Sequence, residues 1–395
     1  MTRSIAEIRV HAISVPLCRS YWMSLEPYTR AAEVLVEVTT DDGLVGIGQI
    51  HGRPQDQIIG LLRDCVGPML IGSDPAATEA IWEQIFRLTY SRGSAVFAAS
   101  DGQPHFGAGV KPQLMAALAG VDIALWDLKA QAAGQPLYRY LGGTEPSVAA
   151  YASGGYYGPD GEPAIDLLVE EMTEYAGQGY DAVKMKVGGV ALDDDIRRVA
   201  AVRDALPDVG LMLDANSAYD VPGGIAAAKA FEAFDIRWLE EPVAWFDPVH
   251  GTAQVATSTT IPIASGEQEL HRWSCRDLVE HGGIRILQFD CTRAGGVTDW
   301  LKVAAHASAH GVLMAPHHDP QLHGHLLAAA PNGHVQEVFP NSDRDPLWAH
   351  LFSRRPHVEK GWLQLTEQPG LGVELDRDIL ERFSTAPPVV IEAAG

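Results

Sequence analysis

Cysteine is scarce in this chain, and the few cysteines are far apart. They are Cys18, Cys65, Cys275 and Cys291, and no two form a CxxC pair. Disulfide frameworks and structural zinc sites need paired or closely spaced cysteines, so neither is expected here. A reducing compartment is therefore the default expectation.

Long apolar runs and an N-terminal targeting segment are also missing. No stretch reaches the roughly 18 apolar residues of a membrane span. The opening MTRSIAEIRV carries charges where a signal peptide would have an apolar run. The sequence therefore predicts a cytoplasmic protein that has no membrane partner.

Positive charge is in short supply. The chain has 29 Lys and Arg against 51 Asp and Glu, a formal net charge of -22. Because an acidic surface is repelled by phosphates, nucleic acids and anionic membranes are not expected as partners. A small anionic substrate stays compatible with this balance, since a bound metal and a few lysines can set the field of one cleft.

The length of 395 residues suits a barrel-sized domain, which needs about 250 residues, together with a smaller domain. Residues 1–140 have the pattern of strands followed by helices, which predicts an α+β capping domain. The strands are expected at Ile5 to Val15, Ala32 to Thr40 and Leu44 to Gln49, with loops around Tyr21–Trp22 and His51–Arg53.

From about residue 148 short β-rich runs alternate with helical stretches. There are eight of these runs: VAAYAS, AVKMKV, GLMLDA, IRWLEE, IPIASG, RILQFD, VLMAPH and VQEVF. Repeated βα units imply a parallel sheet that can close on itself. Residues 145–370 are therefore predicted to form a TIM-type (β/α)7β-like barrel, and residues 371–395 to pack back on the capping domain and complete it.

The ends of the predicted barrel strands carry the candidate active site, because barrels of this kind place their chemistry at the carboxyl ends of the strands. Strands two to eight each end in or carry an ionisable group. In strand order these are Lys184 with Lys186, Asp214, Glu240, Glu267, Asp290, His317 and Glu337.

Three of these groups predict a magnesium site. Asp214, Glu240 and Glu267 are one βα unit apart from each other, and converging carboxylates repel unless a cation lies among them. Oxygen ligands without His or Cys favour Mg²⁺ over Zn²⁺. The alternative, three unrelated loop acids on the surface, does not explain why they follow consecutive strands.

Lys184 and Lys186 are two residues apart on a strand, so both side chains face the same side. Two ammonium groups about 6–7 Å apart repel by roughly 2.5 kcal/mol at an effective dielectric near 20. This repulsion would lower a lysine pKa toward the range of a base. Solvated lysines at a strand end, or a phosphate clamp, are the alternatives.

Asp290 and His317 follow successive strands and are expected to pair as carboxylate and imidazole, with the Asp fixing the tautomer of the His. His318 is expected to point the other way along the strand. His323 and His325 fall in the loop or helix that follows.

The sum of these charges favours one reaction class. Mg²⁺ with three carboxylates carries a formal charge of minus one, and a bound substrate carboxylate makes it minus two. Removal of the α-proton adds the charge of an enediolate, which such a site tolerates only with cations gathered around it. The lysine pair supplies them.

These motifs together resemble the enolase superfamily, and specifically its mandelate racemase-like group of acid-sugar dehydratases and racemases. The resemblance covers nearly the whole chain. The motifs are ALAGVDIALWDLKAQAAGQPLYRYLGG at 117–143, KxK at 184–186, DAN at 214–216, EEP at 240–242, GE at 266–267, the stretch 290–296 and PH at 316–317.

The resemblance implies a role for each matching residue. Asp214, Glu240 and Glu267 would hold Mg²⁺, and Lys186 would be the base on one face of the substrate. Lys184 would lie beside the substrate carboxylate, and a protonated Glu337 would donate a hydrogen bond to that carboxylate. His317 would be the acid or base on the second face of the substrate. Asn216, Ser153, Tyr21, Trp22, His51 and Arg53 are further candidate substrate contacts.

Two fates of the enediolate stay open at this point. Loss of a β-hydroxyl gives a 2-keto-3-deoxy acid, which is the favoured outcome, whereas reprotonation on the opposite face gives a racemase or epimerase. The loop GEQELHRW departs from the GEN of tartrate-type dehydratases and leaves the acid sugar open. A third possibility is a binding protein that has lost catalysis, and the resemblance further implies a homo-oligomer.

Overall fold

The computed structural model describes residues 3–89 and 110–393. Its first unit is built on a four-stranded antiparallel sheet in the order β16-β1-β2-β3. Three strands come from the start of the chain and one from its end: β1 (Ile5–Trp22), β2 (Pro27–Thr40), β3 (Val45–Ile50) and β16 (Val389–Glu392).

The first two strands are longer than predicted and form one hairpin. Tyr21 pairs with Tyr28, and Trp22 pairs with Pro27, beyond an irregularity in the register that follows Pro16. The expected loop around Tyr21 and Trp22 is therefore wrong, since both residues belong to β1. The irregularity interrupts the alternation that would have indicated a continuous strand.

Helices cover one face of this sheet. Alternating Val34, Val36 and Val38 pack against them, because successive side chains of a strand point to opposite faces. The longest helix crosses the sheet closely enough that a side chain at Gly48 would collide with the backbone of Gly120. The helices are α1 (Gln55–Leu61), the π-turn Leu62–Val66, α2 (Gly67–Leu70), α3 (Thr78–Phe86), the 3₁₀ turn Arg87–Thr89, α4 (Lys111–Ala132) and α5 (Leu137–Tyr140).

The C-terminal part of the chain covers the opposite face. Leu35 and Ile13 of the sheet share a buried cluster with Leu375, Leu380 and Phe383. The elements of this part are α13 (Pro346–His350), β12 (Phe352–Arg354), β15 (Glu374–Leu375) and α14 (Arg377–Phe383). The intervening β13 (His357–Glu359) and β14 (Trp362–Gln364) form a hairpin that pairs with the strand Ser147–Ser153. Burial on both faces explains why the middle of β2 reads as a nearly unbroken apolar run.

Eight strands form the barrel. Neighbours pair in parallel from β4 to β10, and β11 returns to pair with β4. The strands are β4 (Ser147–Ser153), β5 (Ala182–Lys186), β6 (Gly210–Asp214), β7 (Ile236–Glu240), β8 (Ile263–Ser265), β9 (Ile286–Leu287), β10 (Leu313–Met314) and β11 (Gln336–Val338). The predicted fold class, a capped α/β barrel, is confirmed.

A helix follows each of the first seven barrel strands and packs outside the sheet. These helices are α6 (Ile165–Gly177), α7 (Leu192–Ala205), α8 (Val221–Phe231), α9 (His250–Ser258), α10 (Arg272–His281), α11 (Gly296–Ala309) and α12 (Pro320–Ala329). A short 3₁₀ turn, Glu232–Phe234, leads into β7. No helix in the described part of the chain has the length and apolar character that crossing a bilayer requires.

The interior of the barrel is filled rather than hollow. One side chain from each strand region contributes to a buried cluster that mixes large and small residues: Tyr151, Ala182, Met212, Trp238, Ala264, Ile286, Ala315 and Val335. Ala182, Met212 and Trp238 each precede an ionisable residue by two positions. Because side chains alternate between the two faces of a strand, Lys184, Asp214 and Glu240 point inward like these residues. They form the next layer of the barrel interior, toward the carboxyl ends of the strands.

A buried carboxylate joins the capping domain to the barrel. Asp122 of α4 accepts hydrogen bonds from the backbone N and the Oγ1 of Thr298 on α11, at 2.9 and 2.6 Å. Burial raises the pKa of Asp122 to about 7. The neutral acid can keep both contacts, because its proton can be donated to the threonine hydroxyl.

We expect this carboxyl group to lower stability as the pH rises from about 4 to about 7. Its folded-state pKa lies above the ordinary value of 3.8, so the folded protein holds more protons in this interval and the free energy of unfolding falls with pH. Asp122→Asn should therefore raise the free energy of unfolding by about 1–4 kcal/mol at pH 8 and leave it little changed at pH 4. Denaturant unfolding between pH 4 and pH 8 measures this difference, and the exposed Asp208→Asn serves as control. The same dependence of the free energy of unfolding on pH in the wild type and both variants would contradict the prediction.

Candidate active site

A cavity of about 670 Å³ opens where the capping domain meets the carboxyl ends of the barrel strands. Residues of both units line it. The capping domain contributes Met23, Tyr28, His51 and Arg53, and the barrel contributes most of the ionisable residues predicted from the strand ends. The structure thus gathers residues as far apart in the chain as Met23 and Arg344 into one site.

The lysines of β5 lie on the cavity wall, each held by a carboxylate. The Nζ of Lys186 is 2.5 Å from Asp214 Oδ2. The Nζ of Lys184 is 2.6 Å from Glu240 Oε1 and 2.8 Å from Glu337 Oε1. Both lysines are almost completely buried, so these ion pairs act in a site with little water.

The expected lowering of the lysine pKa is not found in this arrangement. Burial, the largest single effect, acts to lower the pKa of Lys186, but the charges of Asp214 and of the other acidic neighbours together raise it. The pKa of Lys184 is likewise raised, by Glu240 and Glu337 against the effect of burial. The repulsion between the two ammonium groups is real but is smaller than the attraction of the acids around them.

The protonated state expected for Glu337 is not the one that this arrangement favours. Although burial acts to raise the pKa of its carboxyl, the nearby Lys184 ammonium lowers the pKa well below the ordinary value. Its other oxygen accepts a hydrogen bond from the backbone N of His318 at 3.0 Å. Glu337 is thus a charged acceptor beside Lys184, a partner that spacing along the chain does not reveal.

The predicted metal ligands are all buried carboxylates. Asp214 and Glu267 reach the cavity wall, whereas Glu240 lies beneath Lys184 and accepts a hydrogen bond from Trp238 Nε1 at 3.1 Å. Burial and the charge of Asp214 raise the pKa of Glu240 to about 8. Glu241, which was not predicted as a site residue, also faces the cavity. Its pKa is raised well above the ordinary value by burial and by Glu267.

These carboxylates fit a hard divalent cation. Crowded, desolvated acids are stabilised by a cation among them, and oxygen donors without His or Cys suit Mg²⁺. Here lysine ammonium groups neutralise them, with Lys184 Nζ 4.0 Å from Asp214 and 2.6 Å from Glu240. Among residues 3–89 and 110–393, the ligand atoms of three or more His, Cys, Asp or Glu residues lie within 4.8 Å of one another in two groups, and neither contains Asp214, Glu240 or Glu267. These groups are Glu33, His51, His318 and Asp319, and Glu280, His306 and His310.

Asp290 and His317 come together as a pair. Both lie three residues past their short strands, and His317 Nδ1 is 2.9 Å from Asp290 Oδ2. The other oxygen of Asp290 accepts hydrogen bonds from the N and Oγ1 of Thr292. Burial acts to raise the pKa of Asp290, but the bond to His317 and nearby positive charge lower it well below its usual value. A charged Asp290 accepts a hydrogen bond from Nδ1–H of His317 and so fixes the tautomer of the ring. The Nε2 of His317 is then left to act in the cavity.

His318 does not point away from the site as predicted. The strand ends at Met314, and His318 has a left-handed backbone with φ of 50°, so strand alternation does not apply to it. Its ring also lines the cavity, with Nε2 2.8 Å from Asp345 Oδ2. His323 and His325 lie in α12 and are buried.

The predicted substrate contacts divide into two groups. His51, Arg53 and Asn216 line the cavity. Tyr21, Trp22 and Ser153 do not: Tyr21 packs its ring against Tyr156, Trp22 Nε1 donates to Pro159 O, and Ser153 is buried at the end of β4. In place of Tyr21 and Trp22, the β1–β2 hairpin presents Met23 and Tyr28 to the cavity.

Two cavity-lining arginines were missed from the sequence. Arg293 approaches Glu267 Oε1 at 3.4 Å and Asp290 Oδ2 at 3.5 Å, so it links the metal-ligand side to the His317 side. It lies inside the 290–296 motif, which is the signal that could have found it. Arg344 follows β11 in an irregular segment, and no motif or spacing marks it.

A fully buried arginine supports the lysine strand from behind. Arg198 on α7 donates to the backbone oxygens of Lys186 at 2.6 Å and of Gly155 at 2.9 Å. Its guanidinium also pairs with Asp195 at 3.0 Å, and both side chains are 0% exposed. The end of β5 is therefore fixed by hydrogen bonds that only a long, forked cation can make.

Arg198→Met is expected to lower the free energy of unfolding by about 3–5 kcal/mol, because it leaves the Asp195 charge and two carbonyls buried without their partner. Arg197→Met is the matched control. Arg197 is the neighbouring residue, its side chain is 63% exposed, and the expected change is below about 1 kcal/mol. Denaturant unfolding measures both, and similar values for the two variants would contradict the role given to Arg198.

Comparison with known families agrees with this geometry. Residues 5–142 match the mandelate racemase / muconate lactonizing enzyme N-terminal domain, and residues 167–379 match the enolase C-terminal domain-like family. The chain belongs to the mandelate racemase / muconate lactonizing enzyme family. It is therefore a member of an enzyme family, as the sequence predicts.

Relatives with named activities carry out related reactions. A D-galactarolactone cycloisomerase of Agrobacterium fabrum is 31% identical, over 97% of this chain and all of the relative. An L-talarate/galactarate dehydratase of Salmonella typhimurium is 31% identical over 89% of this chain and 82% of the relative. The structure of an L-talarate dehydratase from Polaromonas sp. JS666, complexed with Mg and L-glucarate, superimposes with a TM-score of 0.82 at 29% identity. That match covers 99% of this chain and all of the other.

Proposed function

We propose that this protein is a magnesium-dependent acid-sugar dehydratase. It removes the α-proton of a hydroxy-carboxylate, forms an enediolate and eliminates water to give a 2-keto-3-deoxy acid. The observation that carries the proposal is a single cavity lined by Lys184 and Lys186, by Asp214 and Glu267, and by His317 of the Asp290–His317 pair. Dehydratases among the relatives support it.

The carboxylate end of the substrate is assigned to the metal side of the cavity. Asp214, Glu240 and Glu267 would hold Mg²⁺, which when bound supplies the positive charge that neutralises these acids and stabilises the enediolate. Lys184 lies beside these ligands and would contact the substrate carboxylate, and Glu337 would hold the Lys184 ammonium in place. Asn216, which donates to both oxygens of Asp214, would keep that carboxylate oriented.

The proton steps are assigned to the two facing walls. Asp214, once it holds the metal, would no longer stabilise the Lys186 ammonium. Neutral Lys186 would then take the α-proton at Nζ as the C–H bond breaks. His317 would give its Nε2 proton to the β-hydroxyl as the C–O bond breaks and water leaves. The resulting enol then takes up a proton at C3 and becomes the keto acid. Asp290 would stabilise the imidazolium form of His317 that this transfer needs.

An isomerase using the same enediolate is the second candidate. Reprotonation on the opposite face would give a racemase or epimerase. A cycloisomerase of a galactarolactone among the relatives favours a further variant, in which the ring oxygen of a lactone leaves instead of water and no atoms are lost. These outcomes differ in whether a group leaves the β-carbon and in which group it is, and not in the residues that remove the α-proton.

Incubation in D₂O with Mg²⁺ and a panel of sugar mono- and diacids and their lactones separates these candidates. NMR reports exchange at the α-carbon, and a keto-acid assay reports elimination. We expect one substrate to yield a 2-keto-3-deoxy acid with loss of water. Exchange without keto acid would favour a racemase, and conversion of a lactone without net loss of water would favour a cycloisomerase. The absence of both exchange and product across the panel would contradict the proposal.

A further inference from the structure

The cavity contains two kinds of positively charged side chain. Lys184, Lys186 and Arg293 each have a carboxylate partner within 4.0 Å. Arg53 and Arg344 line the same cavity, and neither has an ion pair with any residue that the structure describes. Two unpaired guanidinium groups are unexpected in a chain with 51 acidic residues, where carboxylates are plentiful.

Arg344 is held in a fixed orientation. Its Nε donates to Tyr156 Oη at 2.6 Å. Its guanidinium lies over the rings of Tyr28 at 4.0 Å and Phe339 at 4.5 Å. Because Nε already has a partner, the outer edge with the two terminal nitrogens is left to bind something else. That edge matches the two oxygens of a carboxylate.

Arg53 approaches the same place from the capping domain. Its guanidinium is 5.9 Å from the ring of Tyr28, on which Arg344 also rests. Two positive groups beside one aromatic ring repel each other, and an anion between them would remove this repulsion. The sequence could single out Arg53 because it follows β3, but its partner Arg344 lies almost 300 residues later.

The distance from the lysines suits an extended sugar acid. The ring of Tyr156 contacts both cations, with its centroid 5.6 Å from Lys186 Nζ and 5.1 Å from the Arg344 guanidinium. These two groups are therefore at most about 11 Å apart. A chain of six carbons spans about 6 Å between its ends, and a contact of about 3 Å at each end extends its reach to about 12 Å. A substrate with its reacting end at Lys186 can thus reach Arg344 with its far end.

We propose that Arg344 and Arg53 form a binding site for a second, distal carboxylate, so that the substrate is a dicarboxylic sugar acid. This inference rests on the proposed function, because that function places the reacting end of the substrate beside Lys186. A neutral hydroxymethyl group at the far end would leave both guanidinium groups without a counterion.

The test compares a six-carbon sugar diacid with the monoacid of the same stereochemistry, which has CH₂OH in place of the distal carboxylate. We expect wild-type kcat/KM to favour the diacid, and Arg344→Met to lower kcat/KM for the diacid by about 100-fold with little change for the monoacid. Arg53→Met should have the same selectivity with a smaller effect. Arg355→Met is the matched control, since Arg355 also lies over an aromatic ring, that of Trp348, but outside the cavity.

Failure of this inference can be told apart from failure of the proposed function. Turnover of the monoacid at the same rate as the diacid, or an equal loss for both in Arg344→Met, overturns the distal site and leaves the dehydratase standing. If no sugar acid is turned over, calorimetric titration with adipate and hexanoate still decides. Selective binding of adipate that is lost in Arg344→Met supports the site, and equal binding of the two overturns it.

Discussion

Lys186→Met is expected to lower kcat for keto-acid formation by about 10²–10⁴-fold, the usual contribution of a positioned general base. Methionine keeps the length and the apolar stem of lysine but cannot accept a proton. The protein should remain folded, because the other partners of Asp214, including the N and Nδ2 of Asn216, stay in place. Keto-acid assays on the purified variant measure the loss, and the exposed Lys229→Met serves as control.

The same experiment done in D₂O divides the chemistry between the two walls. His317→Asn keeps a donor toward Asp290 but has no titratable ring. If His317 only assists departure of the hydroxyl, this variant should still exchange the α-proton while elimination falls by about 10²-fold or more. Lys186→Met should lose exchange and elimination together. Near-wild-type turnover in both variants would show that the two-base site is wrong.

Much of this site could be predicted because parallel barrel strands repeat one geometry. Asp214 and Glu240 end successive strands and Glu267 follows the next strand, and of the three Asp214 and Glu267 reach the cavity. The same regularity brought Asp290 and His317 into one pair across 27 residues of chain, and the distance between their side chains bears it out. Where the strands are regular, the spacing of residues along the chain predicts which side chains lie close together.

Charge states could not be predicted in this way. The pKa of Lys184 depends on Glu240 and Glu337, which come from two other strands, and their attraction exceeds the repulsion from Lys186. The sequence shows that Lys184 and Lys186 are close to each other along the chain. From that spacing only their mutual repulsion can be predicted, and not their attraction to acids on other strands. The charge of Glu337 follows from the same unseen contact.

Irregular backbone explains the other misses. The strand before His318 ends four residues earlier, and two successive residues, His318 and Asp319, then adopt positive φ, which turns the His318 ring toward the cavity. Tyr28 replaces Tyr21 on the cavity wall because the β1–β2 hairpin continues past an irregularity. Neither event leaves a periodic signal, and such irregular segments often form the parts of a site that select the substrate.

Magnesium binding through Glu267 leads to the last prediction. Glu267→Gln should abolish the rise in melting temperature that Mg²⁺ gives the wild-type protein and lower activity by at least about 10²-fold. A ligand present at 100 times its Kd stabilises the folded state by about 2.7 kcal/mol, and that stabilisation disappears with the site. The substitution removes both the repulsion of Glu241 and the attraction of Arg293, so the melting temperature of the variant is compared with and without Mg²⁺.

Two further variants show whether the response comes from this site. Glu280→Gln alters the surface group with His306 and His310, and Glu33→Gln alters the buried group with His51, His318 and Asp319. Both should keep the Mg²⁺-dependent rise in melting temperature, since mixed histidine and carboxylate donors suit Zn²⁺ better than Mg²⁺. If instead Glu267→Gln kept the rise and one of these two variants lost it, the magnesium site would have to be moved. In that case no Mg²⁺ would lie beside Lys186 to stabilise the enediolate, and the assignment of Lys186 as the base would lose its support.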